Sequence, residues 1–118
     1  MSLTVHTEQR GDVVVVSVAG ELDMATAPQL QDQITDLLDK GRSRLVFDLS
    51  EVSFCDSTGL SVFVRAKNSS DEAGGVVRLA APQRGVLRIL EVSGLVEVLH
   101  TYPTVDQAVA GEPTPTSS

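Results

Sequence analysis

Aromatic side chains are scarce: the 118-residue chain has three phenylalanines, one tyrosine and no tryptophan. The core must therefore be filled by Val, Leu, Ile and Ala. Little remains to stack on bases or sugars, which argues against carbohydrate and single-stranded nucleic acid as ligands. Cysteine is nearly absent too. Cys55 has no second cysteine to pair with inside the chain, and a lone thiol fits a reducing compartment. Basic charge is in deficit: 9 Lys and Arg against 16 Asp and Glu leave a formal charge of −7, with the basic residues scattered. Such a surface repels phosphate backbones, so direct nucleic acid binding is not expected. It can steer a basic partner or simply keep the domain soluble. No apolar run approaches the ~18 residues of a membrane span. The amino-terminal MSLTVHTEQRGD has no basic head followed by an apolar stretch, so neither a membrane anchor nor a secretory leader is predicted. The expectation is a cytoplasmic protein with one core, since 42% apolar and 21% charged residues are ordinary globular usage.

What is present alternates between two periods. Val13 to Ala19 (VVVVSVA) is β-branched and apolar, which suits an interior strand covered on both faces. Leu3 to Thr7 alternates more weakly, and Gln9-Arg10-Gly11-Asp12 is a turn signal, so the two predict an antiparallel hairpin with the first strand at an edge. Leu30, Ile34, Leu37 and Leu38 fall at helical offsets; Thr26 with Gln29 forms a capping-box pattern, and Gly41 can end the helix. Arg44 to Leu49 predicts a strand, and Leu60, Phe63, Val64 and Lys67 the buried stripe of a second helix. Val76 to Ala80 reads as a strand, Arg84 to Val92 as a third helix ended by Gly94, and Val96 to Leu99 as a short last strand. Thr104 and Gln107 repeat the capping pattern for a brief terminal helix. The predicted fold class is α/β: a single domain over residues 1–111 with a mixed, mostly parallel sheet, an antiparallel amino-terminal edge strand and about four helices. EPTPTSS, residues 112–118, reads as a flexible tail.

Several chemistries lack their residues. There is no GxxxxGK[ST] and no GxGxxG after a strand, so no nucleotide cofactor is expected. His6, His100 and Cys55 have no metal-ligand spacing, and no metal is expected. Ser57 stands where a strand turns into a helix, as a nucleophile elbow requires, but Cys55 occupies the position where that motif needs glycine. A small serine hydrolase would need His100 and an acid such as Asp106 to reach Ser57.

The segment SFCDSTGLSVF, residues 53 to 63, places an acid, two hydroxyls and a glycine at the change of period. Asp56 or Ser57 can cap the helix, and Gly59 can let its first turn pack closely. One capping oxygen would suffice. A serine at a helix amino end also sits where unpaired N–H groups and the positive pole of the helix accept the oxygens of a phosphate. In an open sheet the working edge lies beyond the carboxyl ends of its strands, where Glu21-Leu22-Asp23-Met24 and Cys55-Asp56-Ser57-Thr58-Gly59 both emerge and could be neighbours.

GELDMATAPQL (20 to 30), LVFDLSEVSFCDSTGL (45 to 60) and the Gly94-Leu95 step resemble the STAS domain of bacterial anti-sigma factor antagonists, over roughly residues 3 to 110. The resemblance implies a single STAS-type α/β domain that is not an enzyme. Such a domain binds an anti-sigma factor that is also a serine kinase, frees a sigma factor, and is reset by a serine phosphatase. It implies Ser57 as the phosphoacceptor, with Asp56 the acid beside it, Thr58 the second hydroxyl, Gly59 the glycine of the helix start and Asp23 the acid of the upstream segment. Asp56 can instead serve as a cap and Asp23 as a turn residue. Met24 offers a flexible apolar contact or is buried, and Cys55 is expected to be small buried filler. Relatives usually carry glycine where this chain has Ser61, which bears on how closely a kinase approaches. The free protein is expected to be a monomer. Because the same fold serves in scaffolds and transporter complexes, a non-switching scaffold is the competing expectation.

Overall fold

A computed structural model describes residues 3–111; the predicted tail at 112–118 lies outside the described residues. The element order is β1 (Leu3–Arg10), β2 (Val13–Leu22), α1 (Ala27–Asp39), β3 (Arg44–Cys55), α2 (Ser57–Glu72), β4 (Val76–Ala80), α3 (Arg84–Val92), α4 (Leu95–Val98), β5 (Thr101–Tyr102) and α5 (Val105–Ala110). One five-stranded sheet runs β1-β2-β3-β4-β5, with β1 antiparallel to β2 and every other pair parallel. The expected edge hairpin is present, and β2 is an interior strand next to the central β3.

Burial follows from the residue types. Val14, Val16 and Val18 of β2 point to one face, where Leu45, Phe47 and Leu49 of β3 meet Leu30 and Ile34 of α1, Leu60 and Phe63 of α2, and Val86 and Leu90 of α3. Phe47 and Phe63 meet edge-on at 5.1 Å, a contact worth about 1 kcal/mol beyond area burial that ties α2 to the central strand. On the opposite face Ala108 of α5 and Tyr102 of β5 cluster with Val13, Val15, Val46 and Ala80. This second layer explains why VVVV is continuously apolar.

Four readings of the sequence need correction. The run Val96 to Leu99 is not a strand: Leu95–Val98 is one turn of helix, and the last strand is Thr101–Tyr102, paired with Leu79 and Ala80. A four-residue apolar run has no period to separate the two states. The count of helices rises to five among the described residues. Next, β3 reaches Cys55 instead of ending at Leu49. Its ladder with β2 shifts register between Ser17 and Ala19 and again between Gly20 and Glu21, leaving extra residues on β3. Each bulge reverses which face the next residue takes. Buried positions therefore fall at Leu49, Val52 and Cys55, a spacing that hides the strand. The buried stripe of α2 is also broader than expected: Val62, Ala66 and Ser70 are buried with Leu60 and Phe63, while Val64 and Lys67 are only partly covered. Finally, the Thr26 and Gln29 capping box does not form. The Thr26 hydroxyl turns back into the preceding loop, and the Gln29 amide donates to the Leu3 carbonyl at 2.8 Å. The second capping pattern does form, with Thr104 Oγ1 accepting from Gln107 N at 3.1 Å.

Candidate functional site

The two bulges bring the carboxyl ends of β2 and β3 level. Leu22 pairs with Cys55, and Asp56 N donates to the Leu22 carbonyl at 3.2 Å. The segments around Asp23 and Ser57 are thus neighbours. Each begins with an aspartate that organises backbone N–H groups.

At the first junction Asp23 Oδ1 accepts from Ala25 N at 2.9 Å and Thr26 N at 3.1 Å. The Thr26 hydroxyl accepts from Asp23 N at 3.0 Å and donates to the Glu21 carbonyl at 2.7 Å. Asp23 is therefore a turn residue held by its own loop, and Met24 is pushed outward to 75% exposure.

At the second junction Asp56 is the N-cap of α2, its Oδ1 accepting from Gly59 N at 3.1 Å. Gly59 is buried because the first turn presses on β2. A Cβ there would stand 2.8 Å from Leu22 Cγ and 2.9 Å from Cys55 Sγ. Cys55 is a buried free thiol. Burial, with the Asp56 charge adding to it, pushes its pKa from 9.0 up to about 12, so it stays protonated and unreactive at neutral pH.

Ser57 is the first residue of α2 and is exposed. With Asp56 already supplying the cap, its hydroxyl is not needed to start the helix. Ser61, also exposed, donates from Oγ to the Ser57 carbonyl at 3.0 Å. Ser57, Thr58 and Ser61, with Val62 and Arg65, form one wall of an open groove of about 470 Å³. Met24, Ala27, Pro28, Gln31 and Asp32 of the α1 side form the other. The structure thus gathers Met24, Ser57, Thr58 and Ser61 on one surface and leaves Asp23, Asp56 and Gly59 beneath it as its framework. Sequence reasoning missed Gln31, Asp32 and Arg65. The spacing Ser57, Ser61, Arg65 was the available signal, since residues four apart share a helix face.

The hydrolase constellation is not assembled. Asp106 is bound to Arg10 at 3.1 Å, and Arg10 pairs with Val13 at the start of β2. Ser57 lies beyond the other end of that ten-residue strand, about 30 Å away along the sheet. Nor do His6, His100 and Cys55 meet: among the described residues no group of three His, Cys, Asp or Glu side chains could hold a metal ion.

Comparison with known proteins adds the family. The model of the STAS domain matches residues 4–108. The chain belongs to the STAS domain family. A curated relative is the anti-sigma-B factor antagonist of Bacillus subtilis, 31% identical over 99 residues that cover 84% of this chain and 90% of that one. The crystal structure of an anti-sigma factor antagonist from Mycobacterium paratuberculosis superposes with a TM-score of 0.84 at 34% identity, covering 93% of both chains. The Bacillus cell fate determinant SpoIIAA, whose structure is of the phosphorylated form, shares the STAS fold with a TM-score of 0.71 at 21% identity, over 92% of this chain and 98% of its own.

Proposed function

We propose that this STAS domain is an anti-sigma factor antagonist: it docks a kinase-type anti-sigma factor through the α1–α2 groove, and phosphorylation of Ser57 switches the contact off. The observation that carries the reading is an exposed, cap-free hydroxyl at the first residue of α2, on the rim of a groove that also exposes Met24. Family membership and the names of the relatives above support it.

The chemistry is simple. Ser57 Oγ attacks the γ-phosphorus of ATP held by the kinase; the O–P bond forms, ADP departs, and the hydroxyl proton passes to a base of the kinase. A serine phosphatase returns the hydroxyl by hydrolysis, releasing inorganic phosphate. The modified residue gains about 1.5 to 2 negative charges beside Asp56 and across from Asp32. The fold tolerates them because the amino end of α2 offers N–H groups and a positive pole. A partner fitted to the neutral hydroxyl must bury that charge, at a cost of several kcal/mol, and each ~1.4 kcal/mol is tenfold in affinity.

The test is incubation with the kinase-type anti-sigma factor and ATP, followed by mass spectrometry of the modified site. Phosphate on Ser57, and its loss in Ser57→Ala, is the expected result. A Ser57→Ala variant phosphorylated as well as the wild type sinks the reading.

A further inference from the structure

The two edges of the sheet are unequal. At one, β5 is only Thr101–Tyr102. At the other, β1 runs eight residues from Leu3 to Arg10, pairs with β2 on one side alone, and keeps a continuous register without a bulge. The two-residue loop Gly11-Asp12 makes its flanking residues, Arg10 and Val13, a mutually hydrogen-bonded pair. Alternation then turns the main chain of Glu8, His6 and Thr4 toward β2 and aims the N–H and C=O groups of Val5, Thr7 and Gln9 outward. The Leu3 carbonyl, next in that outward row, is taken by the Gln29 amide at 2.8 Å. An open edge is ordinarily blunted by proline, lysine or a bulge, and Leu3–Arg10 has none of these. Side chains alternate as well. Leu3 and Val5 join the main core, so His6 and Glu8 stand on the other face, where neither forms an ion pair with a described residue; Arg10 beside them is held by Asp106.

We propose that the β1 edge pairs with β1 of a second copy of this chain, antiparallel about a two-fold axis at Thr7, joining two five-stranded sheets into one. The inference is independent of the reading of Ser57, and it replaces the monomer that the sequence alone suggests with a weak dimer. Outward groups meet only in registers that set odd residues against odd ones. With the axis at Thr7, Val5 faces Gln9 of the second copy, and Glu8 faces His6 of the second copy twice over, in the closely spaced type of pair. An imidazole N–H donates to a carboxylate, so these cross-strand pairs are complementary. Moving the axis to Glu8 sets carboxylate against carboxylate, and moving it to His6 sets imidazole against imidazole. The two-residue β5 edge is too short to repeat the contact, so assembly closes at two copies. The formal charge of −7 on each copy opposes association, which keeps the dimer to high protein concentration.

The test is sedimentation equilibrium of the full chain from about 10 μM to about 1 mM, with amide hydrogen exchange followed by NMR at both ends of that range. The mass is expected to rise from 12.5 kDa toward twice that value. The amides of Val5, Thr7 and Gln9 should gain protection as it does, while those of His6 and Glu8, already bonded to β2, should not. Thr7→Pro removes an outward N–H that β2 does not use, and Thr7→Lys sets two ammonium groups face to face at the axis; each should weaken the dimer at least about tenfold. His6→Glu should weaken it about fivefold by opposing carboxylates, and adding Glu8→His should restore it, because the pairing is reciprocal. A mass of 12.5 kDa throughout overturns the proposal, as does a dimer that survives both Thr7 substitutions. A double variant no tighter than His6→Glu alone overturns the register at Thr7.

Discussion

The two strand-to-helix junctions at the carboxyl edge are built from the same residue types and put them to opposite use. Between β2 and α1 the hydroxyl of Thr26 is buried and spans two backbone groups, Asp23 N and the Glu21 carbonyl. Between β3 and α2 the cap falls to Asp56, and the hydroxyl of Ser57 is left exposed. The first junction commits its alcohol to the fold, and the second leaves one at the surface. An acid followed by hydroxyls is therefore not a site in itself; what matters is whether another oxygen has already taken the capping task.

The comparison can be broken by substitution. Gly59→Val is expected to have the largest effect, a loss of about 3 kcal/mol in urea unfolding, because its Cβ must displace the packed Leu22 and Cys55 side chains. Thr26→Val should cost about 2 kcal/mol, since it takes the buried hydroxyl away from two partly buried backbone groups. Asp56→Ala should cost about 1 kcal/mol, the ordinary value of a lost cap. If Thr26→Val proves no more damaging than Asp56→Ala, the contrast in burial between the junctions does not govern their energetics.

Cys55 sharpens the same contrast through pH. Its thiol keeps its proton to about 12 in the folded chain but loses it near 9.0 once unfolded. The unfolded state binds fewer protons between those values, so the associated stability is intact below about pH 9 and is lost progressively as pH rises toward 12. Cys55→Ala should flatten the fall in unfolding free energy between pH 9 and 10.5 by about 2 kcal/mol relative to the wild type. Parallel curves for the two proteins would mean that the thiol titrates normally in the fold.

The smallest effect on folding is expected at Ser57. Ser57→Ala should change stability by less than about 0.5 kcal/mol, as an exposed side chain outside the cap does. Binding separates the variants: Ser57→Ala should retain affinity for the anti-sigma factor, and Ser57→Asp should lose at least about tenfold, or 1.4 kcal/mol. Equal affinity for both would remove charge as the basis of the switch.

Much of this was legible in the residues. The β4 and α3 boundaries, the amino-terminal hairpin, the parallel order and the adjacency of the 21–24 and 55–59 segments follow from local period and turn chemistry. The rest depended on non-local packing. The second half of β3 was hidden because two bulges reverse its inside-outside alternation. The face of α2 was misjudged because Ala66, Ser70 and Gly59 are too small to look like core residues, yet they admit the close approach of neighbouring elements. Arg65 gained meaning only when α1 was placed across the groove from it.

The register shifts carry one more consequence. Because extra residues inside β3 set the reach of its carboxyl end, the height of the presented alcohol is dictated by the sheet and not by the loops. Surface positions around the rim, Gln31, Asp32, Ser61 and Arg65 among them, can therefore vary without displacing the Ser57 hydroxyl. A deletion within Ser50 to Ser53 should do the reverse, leaving the identity of every rim residue unchanged while shifting the Ser57 hydroxyl along the sheet.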